Sequence, residues 1–302
     1  MDGSPLPDSI REQWPWRPRF ARVNGWRMHY VDEGTGNPVV LLHGNPCFLY
    51  RDFVEPLTRA VPGCNPRHDR VWPLGEAVPG RGAQSRRAHR EPDGAATPAR
   101  SPGGDPRLPR LGWANWTGFG LSNPGRVAAL VVMSTWAWPR PPAEFHTRIF
   151  PWRMMHAPLV GPYLLGRHNA LVGRGIYLSV VDREKFRKRA QHAYEWVLPD
   201  STARLLTRTW PRWIPLDATS RALERFNWLE KELAVCRLPT VIVWGREDDV
   251  FDHATFSARF KQLLPHAEGP HLVTGRHFLQ EDSGPEIAAL IVEFLARNRT
   301  EG

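Results

Sequence analysis

Residues 238–251 read LPTVIVWGREDDVF, and they carry the clearest indication of the architecture of the chain. Residues 240–244 form an uninterrupted apolar run, which is typical of a short strand buried on both faces of a sheet. The run breaks at Gly245, and acidic residues follow at positions 247–249. An apolar strand with polar residues directly after it indicates the carboxyl end of a parallel strand, where open sheets hold their ligands.

Three further apolar runs share this pattern. Residues 38–42 (PVVLL) end at the sequence HGNP, residues 127–133 (VAALVVM) follow the sequence NP, and residues 271–273 (HLV) precede the sequence GRH. Nearer the start, residues 21–34 (ARVNGWRMHYVDEG) place Asn24-Gly25 between two strand-like runs, which predicts a hairpin. The sequence therefore contains several buried strands with polar residues at their ends.

Helical patterns occupy the stretches between and after these strands. Residues 138–233 are rich in tryptophan and arginine at helical spacing, with Phe186, Ala190, Ala193 and Tyr194 as an example. A last helix is predicted to begin near Ser283, and its apolar stripe consists of Ile287, Leu290, Ile291, Phe294 and Leu295. Strands that alternate with helices predict an α/β fold, a mostly parallel sheet with helices on both faces. We divide the chain into a core, residues 1–137 and 234–302, and a helical lid (cap) insert, residues 138–233.

Residues 62–111 do not fit this pattern. They contain nine prolines, nine arginines and no lysine, and they show no period of a helix or a strand. A polar, proline-rich stretch of this length cannot bury enough apolar surface to order itself, so we expect it to be poorly ordered.

Composition limits the partners and the compartment. The formal net charge of +9 would favour nucleic acid, but residues 62–111 supply nine arginines against five acids, so nucleic acid is not expected. No apolar run reaches about 18 residues, which argues against a membrane span. The start lacks the apolar core of a secretion signal, and the three cysteines show no paired or metal-ligand spacing. We expect a cytoplasmic protein, a monomer or weak homo-oligomer, without a metal or a cofactor.

Two polar residues after the last strands suggest acid–base chemistry. His277 follows the final strand on a loop, and an imidazole can act as general base near neutral pH. Asp248 would fix its tautomer and stabilise its charged form, although Glu247, Asp249 and Asp252 compete for that role. Taken singly, Asp248 also fits a turn aspartate and His277 a surface histidine; their order after two buried strands favours the functional interpretation.

Asn45 is a third candidate, because it follows a glycine directly after a buried strand. Its backbone N–H could face a developing oxyanion, and its side-chain amide could donate to a halide ion. A turn asparagine before proline explains it equally well.

Four stretches of the sequence resemble a known family. Residues 28–46 (MHYVDEGTGNPVVLLHGNP), 123–139 (NPGRVAALVVMSTWAWP), 238–251 and 275–282 (GRHFLQED) resemble the haloalkane dehalogenases of the α/β-hydrolase fold. The resemblance covers roughly residues 20–61 and 118–298, and it extends to epoxide hydrolases and to β-lactone decarboxylases. The last group shares the sequence HGNP and the sequence VFDH at residues 250–253.

The resemblance implies a hydrolase that acts on a small apolar substrate, a haloalkane or a related compound. An aspartate on a strand–turn–helix elbow, within the sequence Asp-Trp-Gly-Gly, would attack the carbon that carries the leaving group. His277 would then activate water to hydrolyse the ester, with Asp248 as its acid partner and Asn45 as oxyanion and halide contact. Tryptophans around the lid would suit an apolar substrate or simply pack the lid; these are Trp136, Trp138, Trp152, Trp196, Trp210 and Trp213.

The sequence departs from the family at the elbow. Counted back from the sequence NP at residue 123, the elbow falls at residues 110–113, which read RLGW and contain no nucleophile. The genetic code suggests why: read one nucleotide forward, codons for residues 110–117 can spell Asp-Trp-Gly-Gly-Pro-Ile-Gly-Leu. The same shift over residues 61–78 permits Tyr-Arg-Val-Ala-Thr-Pro-Asp-Met-Ile-Gly-Phe-Gly-Arg-Ser-Ala-Lys-Pro-Ser. We therefore interpret about residues 61–117 as frameshifted, against the alternatives of a divergent insert or a non-catalytic pseudoenzyme.

Overall fold

The computed structural model describes residues 6–23, 26–35, 37–44, 49–60, 64–70, 121–139, 154–155, 157–201, 203–204, 207 and 223–298. Its strands in these ranges are β1 Arg19–Val23, β2 Trp26–Asp32, β3 Asn37–Leu42, β4 Cys64–Arg70, β5 Leu130–Met133, β6 Thr240–Gly245 and β7 Glu268–Val273. Its α-helices are α1 Asp8–Arg11, α2 Arg51–Ala60, α3 Arg183–Phe186, α4 His192–Val197, α5 Leu223–Val235, α6 Phe256–Leu263, α7 Leu279–Asp282 and α8 Gly284–Arg297.

The first sheet has the strand order β1-β2-β4-β3. β1 and β2 are antiparallel, and Val23 lies opposite Trp26, which confirms the predicted strand pair; Asn24 and Gly25 themselves lie outside the described residues. In β3 only Leu41 is buried, so the expected burial on both faces is wrong for this strand. In the part of the chain that the structure describes, β3 lies at the edge of its sheet, where one flank has no neighbouring strand.

The strand β4 lies within residues 62–111, for which no regular structure was expected. It is antiparallel to β2 and parallel to β3, so both of its edges are paired. Its sequence, CNPRHDR, is polar and contains a proline, which cannot donate to a strand ladder. The ladder uses backbone groups that every sequence carries, and this explains why a poor strand former can occupy the position. Residues 71–111 lie outside the described residues.

The second sheet contains the strands β5-β6-β7, and both of its strand pairs are parallel. All six residues of β6 are buried, as its apolar run predicts. Side chains alternate between its faces: Ile242 and Trp244 join the cluster with the helix α5, whereas Val241 and Val243 join the cluster with the helix α8. Helices therefore cover both faces of β6, which agrees with the predicted α/β fold.

The helix α8 confirms the predicted last helix and its start. Ser283 occupies the N-cap position, and Ile287, Ala288, Ile291 and Phe294 are buried against β6, β7 and α2. Leu290 and Leu295 of the predicted stripe are only partly buried. Each fully buried apolar side chain of this size contributes roughly 1.5–3 kcal/mol, so this face fixes the helix on the sheet.

Residues 157–201, which we call the helical segment, contain α3, α4 and the π-helical turns Pro162–Arg167, Leu171–Ile176 and Arg187–Gln191. The predicted apolar face is confirmed, since Phe186, Ala190, Ala193 and Tyr194 are all buried. They pack in one cluster with Phe278. Phe278 belongs to residues 274–282, which follow β7 and carry His277; we call these residues, α7 included, the histidine loop. Within the described ranges, no helix combines the length and the apolar character needed to cross a bilayer.

Candidate active site

Two loops meet at the carboxyl ends of β6 and β7. The backbone N–H of Arg246 donates to the carbonyl of Val273 at 2.9 Å, and that of Glu247 donates to Gly275 at 3.0 Å. At Gly245 a Cβ atom would lie 2.5 Å from the carbonyl oxygen of Gly275, so only glycine allows this approach. The parallel pairing of β6 and β7 thus continues into the loops and holds them side by side.

Asp248 lies in the first loop, and its side chain is completely buried. Its Oδ1 accepts hydrogen bonds from the backbone N–H groups of Val250 at 2.9 Å and Phe251 at 2.8 Å. Its Oδ2 lies 3.3 Å from Nδ1 of His277. Two N–H donors on one oxygen fix the carboxylate, and its other oxygen is left to face the imidazole.

Two of the neighbouring acids that competed for this role are engaged elsewhere, and the third, Glu247, is exposed. Oδ2 of Asp249 accepts a hydrogen bond from Nη2 of Arg276 at 2.6 Å. Oδ1 of Asp252 accepts one from the backbone N–H of Thr255 at 2.9 Å. Asp248 is therefore the acid of this group that reaches His277.

The imidazole of His277 is 20% exposed and lies between two phenyl rings. The ring of Phe251 is 5.0 Å away and that of Phe278 is 5.2 Å away, both in edge geometry. If Nδ1 carries the proton and donates it to Asp248, Nε2 becomes the basic nitrogen. Such a pair can remove a proton from a water molecule and stabilise the charged ring that results.

The other residues that the sequence singled out are described only in part. Asn45 lies outside the described residues, although His43 and Gly44 directly before it follow the end of β3. Residues 110–113, where the elbow was counted, also lie outside them. The structure thus brings Asp248 and His277 together, whereas the position of Asn45 relative to them is not described.

The described tryptophans pack against the core. Trp136 stacks on Phe226 with ring centroids 5.2 Å apart, and Trp138 stacks on Phe256 at 5.7 Å. Both indoles are buried, and Trp196 is partly buried. Trp152, Trp210 and Trp213 lie outside the described residues.

Sequence reasoning missed Ser134, which directly follows β5. Its φ of 32° is positive, its side chain is buried, and its hydroxyl has no hydrogen-bond partner in the described part of the chain. Met133 pairs with Val243 in parallel register, so Ser134 lies at the sheet edge that also carries the Asp248 loop. Strained backbone is common at functional sites, but a single serine after an apolar run gives no signal of it in the sequence.

A second missed group is a buried ion pair beside the histidine loop. The guanidinium of Arg51 donates to both carboxylate oxygens of Glu281, at 3.3 and 2.5 Å. The hydroxyl of Tyr194 donates to the same carboxylate at 2.8 Å. Burial acts to lower the pKa of Arg51, but the attraction and hydrogen bond of Glu281, together with the attraction of Asp52 and Tyr194, raise this pKa above its ordinary value. No signal in the sequence pointed to this pair, because Arg51 and Glu281 lie 230 residues apart.

No metal site is described. Among the residues with described positions, no group of three or more histidine, cysteine, aspartate or glutamate side chains could hold a metal ion.

Comparison with known proteins places this geometry in a family. No protein-family model matches the chain. Haloalkane dehalogenase 2 of Mycobacterium tuberculosis is 30% identical over 287 residues, which cover 93% of this chain and 95% of that protein. The cis-3-alkyl-4-alkyloxetan-2-one decarboxylase of Shewanella oneidensis is 27% identical over 294 residues, which cover 95% of this chain and 90% of that protein.

Solved structures agree on the fold. The haloalkane dehalogenase DatA from Agrobacterium tumefaciens superposes with a TM-score of 0.67 at 18% identity, over 94% of this chain and 97% of that one. The structure of DbjA superposes with a TM-score of 0.70 at 20% identity, over 93% of this chain and 97% of that one. With its sheet, its paired loops and a relative of this similarity along almost its whole length, the chain belongs to the haloalkane-dehalogenase-like branch of the α/β-hydrolase fold superfamily.

Proposed function

We propose that the protein encoded by the intact gene hydrolyses a small apolar haloalkane through an aspartyl ester intermediate. The observation that carries this proposal is the contact between Asp248 and His277 at the ends of β6 and β7, in a chain 30% identical to haloalkane dehalogenase 2. A buried carboxylate that holds an imidazole is suited to activate water for ester hydrolysis.

The reaction has two steps. A carboxylate oxygen of the elbow aspartate forms a bond to the substrate carbon, and the carbon–halogen bond breaks with release of halide. His277 then takes a proton from water, and the resulting hydroxide attacks the ester carbonyl. The bond between the carbonyl carbon and the alkyl oxygen breaks, and the leaving oxygen takes the proton from His277 to give the alcohol. The aspartic acid formed at the elbow then loses its proton, so one haloalkane and one water give an alcohol, a halide and a proton. Asn45 would stabilise the oxyanion and contact the departing halide.

We also propose that the elbow aspartate is missing because residues 61–117 are translated in the wrong frame. The shifted frame can restore Asp-Trp-Gly-Gly at residues 110–113, where the 302-residue chain has no nucleophile. The position of β4 supports this proposal, because a strand paired on both edges there carries the polar sequence CNPRHDR. In the shifted frame residues 64–70 can read Ala-Thr-Pro-Asp-Met-Ile-Gly, which would remove the two arginines from the strand.

The gene sequence tests this second proposal. We expect two compensating frame changes, near codons 60 and 118, and codon choices that spell the shifted segments. An open frame without them, in independent isolates, would reject the frameshift and leave a divergent, non-catalytic chain. We call the product of the repaired gene the corrected chain.

Residues 138–233 are proposed to form the lid over the site. The contacts between the helical segment and Phe278 support this assignment, because they bring the segment against the loop that carries His277. The lid would exclude bulk water and offer an apolar surface to the substrate.

Halide release by the corrected chain from a panel of bromoalkanes tests the reaction. We expect one halide per alcohol formed, and none when asparagine replaces the restored elbow aspartate. The uncorrected 302-residue chain serves as a second control. Bromide release by this chain would contradict the proposal that it lacks its nucleophile.

β-Lactone decarboxylation is the second candidate. It is favoured by the sequence VFDH at residues 250–253 and by the 27% identity to the alkyloxetanone decarboxylase of Shewanella oneidensis. Release of carbon dioxide from a β-lactone by the corrected chain, without halide release from bromoalkanes, would establish this activity instead.

Epoxide hydrolysis would require lid tyrosines as acids, and the helical segment offers Tyr163, Tyr177 and Tyr194. The hydroxyl of Tyr194 is bound to Glu281 and its side chain is fully buried. Tyr163 is 58% exposed, and the ring of Tyr177 lies beneath the guanidinium of Arg183. This arrangement does not favour the third activity.

A further inference from the structure

We propose that Glu281 and Asp282 are positioning residues that fasten the helical segment to the loop of His277 and thereby set the imidazole for catalysis. We call these two residues, with their hydrogen bonds, the clasp. The proposal rests on the proposed function for its catalytic meaning, whereas the physical connection itself can be measured independently.

Glu281 joins three parts of the chain that lie far apart in sequence. It is 5% exposed, and its carboxylate accepts hydrogen bonds from the side chains of Arg51 in α2 and Tyr194 in α4. Every partner is also buried, so no water competes for these hydrogen bonds. The core helix, the helical segment and the histidine loop are therefore tied to one side chain.

Asp282 connects the same loop to the helical segment directly. Its Oδ1 accepts a hydrogen bond from the backbone N–H of Val181 at 2.9 Å, and its Oδ2 accepts one from the backbone N–H of Arg276 at 3.0 Å. The backbone carbonyl oxygen of Asp282 accepts a hydrogen bond from Nζ of Lys185 at 3.4 Å. A carboxylate offers an acceptor on each oxygen, whereas an amide offers one, so asparagine could keep only one of the two N–H bonds.

Both chain neighbours of His277 are held in the same way. Nη1 of Arg276 donates to the carbonyl of Leu178 at 3.0 Å. The backbone N–H of Phe278 donates to the carbonyl of Ser179 at 3.2 Å. With residues 276 and 278 fixed to the helical segment and Nδ1 bound to Asp248, the imidazole has little freedom to move.

The clasp has a kinetic consequence, because His277 acts in the second step only. Misplacing a catalytic group by about 1 Å can cost about a hundredfold in rate. If the clasp is loosened, the ester should still form and release its halide, but its hydrolysis should slow. A loss of folded protein would instead lower the observed rates of both steps in the same proportion.

The first test measures amide hydrogen exchange at Val181 and Arg276 in the full 302-residue chain and in its Asp282→Asn variant. We expect exchange at one or both amides to become about tenfold faster, since a hydrogen bond to a charged group is lost. The matched control is Asp200→Asn, because Asp200, near the end of the helical segment, accepts a hydrogen bond from the backbone N–H of Ala203 at 2.9 Å. This control should leave the two amides unchanged. Unchanged exchange in Asp282→Asn, or no protection of either amide in the parent, would overturn the clasp.

The second test compares bromide release by the corrected chain with its Asp282→Asn and Glu281→Gln variants. We expect a first turnover that releases about one bromide per protein at the parent's rate, followed by steady turnover slowed tenfold or more. A fall of the first-turnover amplitude and the steady rate in equal proportion would show a structural role only and would refute positioning. If the parent releases no bromide, the proposed reaction fails, and the exchange measurement still decides whether the clasp exists.

Discussion

Oδ2 of Asp248 lies 3.3 Å from Nδ1 of His277, although 29 residues separate the two in sequence. The contact depends on two parallel strands that end side by side and on two loops whose backbones are bonded to each other. Because the carboxylate is buried and held by two N–H groups, it is oriented before any substrate arrives. If Nδ1 donates its hydrogen bond to this carboxylate, Nε2 is left as the basic nitrogen of the imidazole.

The first prediction concerns this contact. Asp248→Asn in the corrected chain should slow ester hydrolysis by about 10³–10⁴, because an amide no longer holds the required tautomer of His277. Bromide release under steady-state conditions measures the effect. The control is Asp252→Asn, which changes an acid four residues away that binds a backbone N–H instead. Equal rates in parent and Asp248→Asn would remove Asp248 from the mechanism.

The second prediction concerns the approach of the two loops. Gly245→Ala should lower the free energy of unfolding by about 1–3 kcal/mol, because the new Cβ would lie 2.5 Å from the backbone oxygen of Gly275. Urea titration followed by circular dichroism measures the change. Gly173→Ala is the control, since a Cβ there meets no atom within 4 Å, and it should be neutral or slightly stabilising. A Gly245→Ala protein as stable as its parent would show that the loops can separate without cost.

The third prediction concerns the buried ion pair. Arg51→Met or Glu281→Leu alone should cost about 3–5 kcal/mol, because each leaves a buried charge without its partner. The double variant should recover much of this loss, since two apolar side chains of similar size need no compensation. Denaturant unfolding of the parent, both single variants and the double variant gives the coupling free energy between Arg51 and Glu281. If the two single losses simply add, Arg51 and Glu281 do not interact as the structure describes.

The fourth prediction concerns the pH dependence of stability. Burial raises the pKa of Asp282 above its ordinary value of 3.8, although the N–H groups of Arg276, Val181 and Asp182 oppose the shift. A carboxyl with a raised folded-state pKa stabilises the fold at pH values below 3.8, and this contribution is lost as the pH rises through the folded pKa. The parent should therefore lose stability relative to Asp282→Asn as the pH increases above that value. Unfolding free energies measured across this range should diverge, and parallel curves would contradict the raised pKa.

Much of the fold followed from strand patterns because a buried strand needs a continuous apolar run. The run at residues 240–244 predicted β6, and the last helix began at the expected cap. The burial of β3 was not predicted correctly. An apolar run shows which side chains a strand could bury, but it does not show whether the strand lies in the middle of the sheet or at its edge. The same limit applied to β4, whose sequence is polar while its backbone completes a ladder.

The candidate site was predictable in kind, and its details were not. Polar residues after two buried strands indicated Asp248 and His277, but four acids occur within residues 247–252. The choice among them depends on a turn in which Val250 and Phe251 direct their N–H groups to one carboxylate. Glu281 was not singled out because its partner Arg51 lies 230 residues earlier, and sequence spacing carries no trace of such a pair.

The alternation of β6 has a consequence for how this chain tolerates change. Since Ile242 and Trp244 face one helix layer and Val241 and Val243 face the other, inserting or deleting one residue at the start of β6 would exchange the two sets. The indole of Trp244 would then meet the space made for valines. Length within this strand is consequently under tighter constraint than the choice of any single apolar side chain in it.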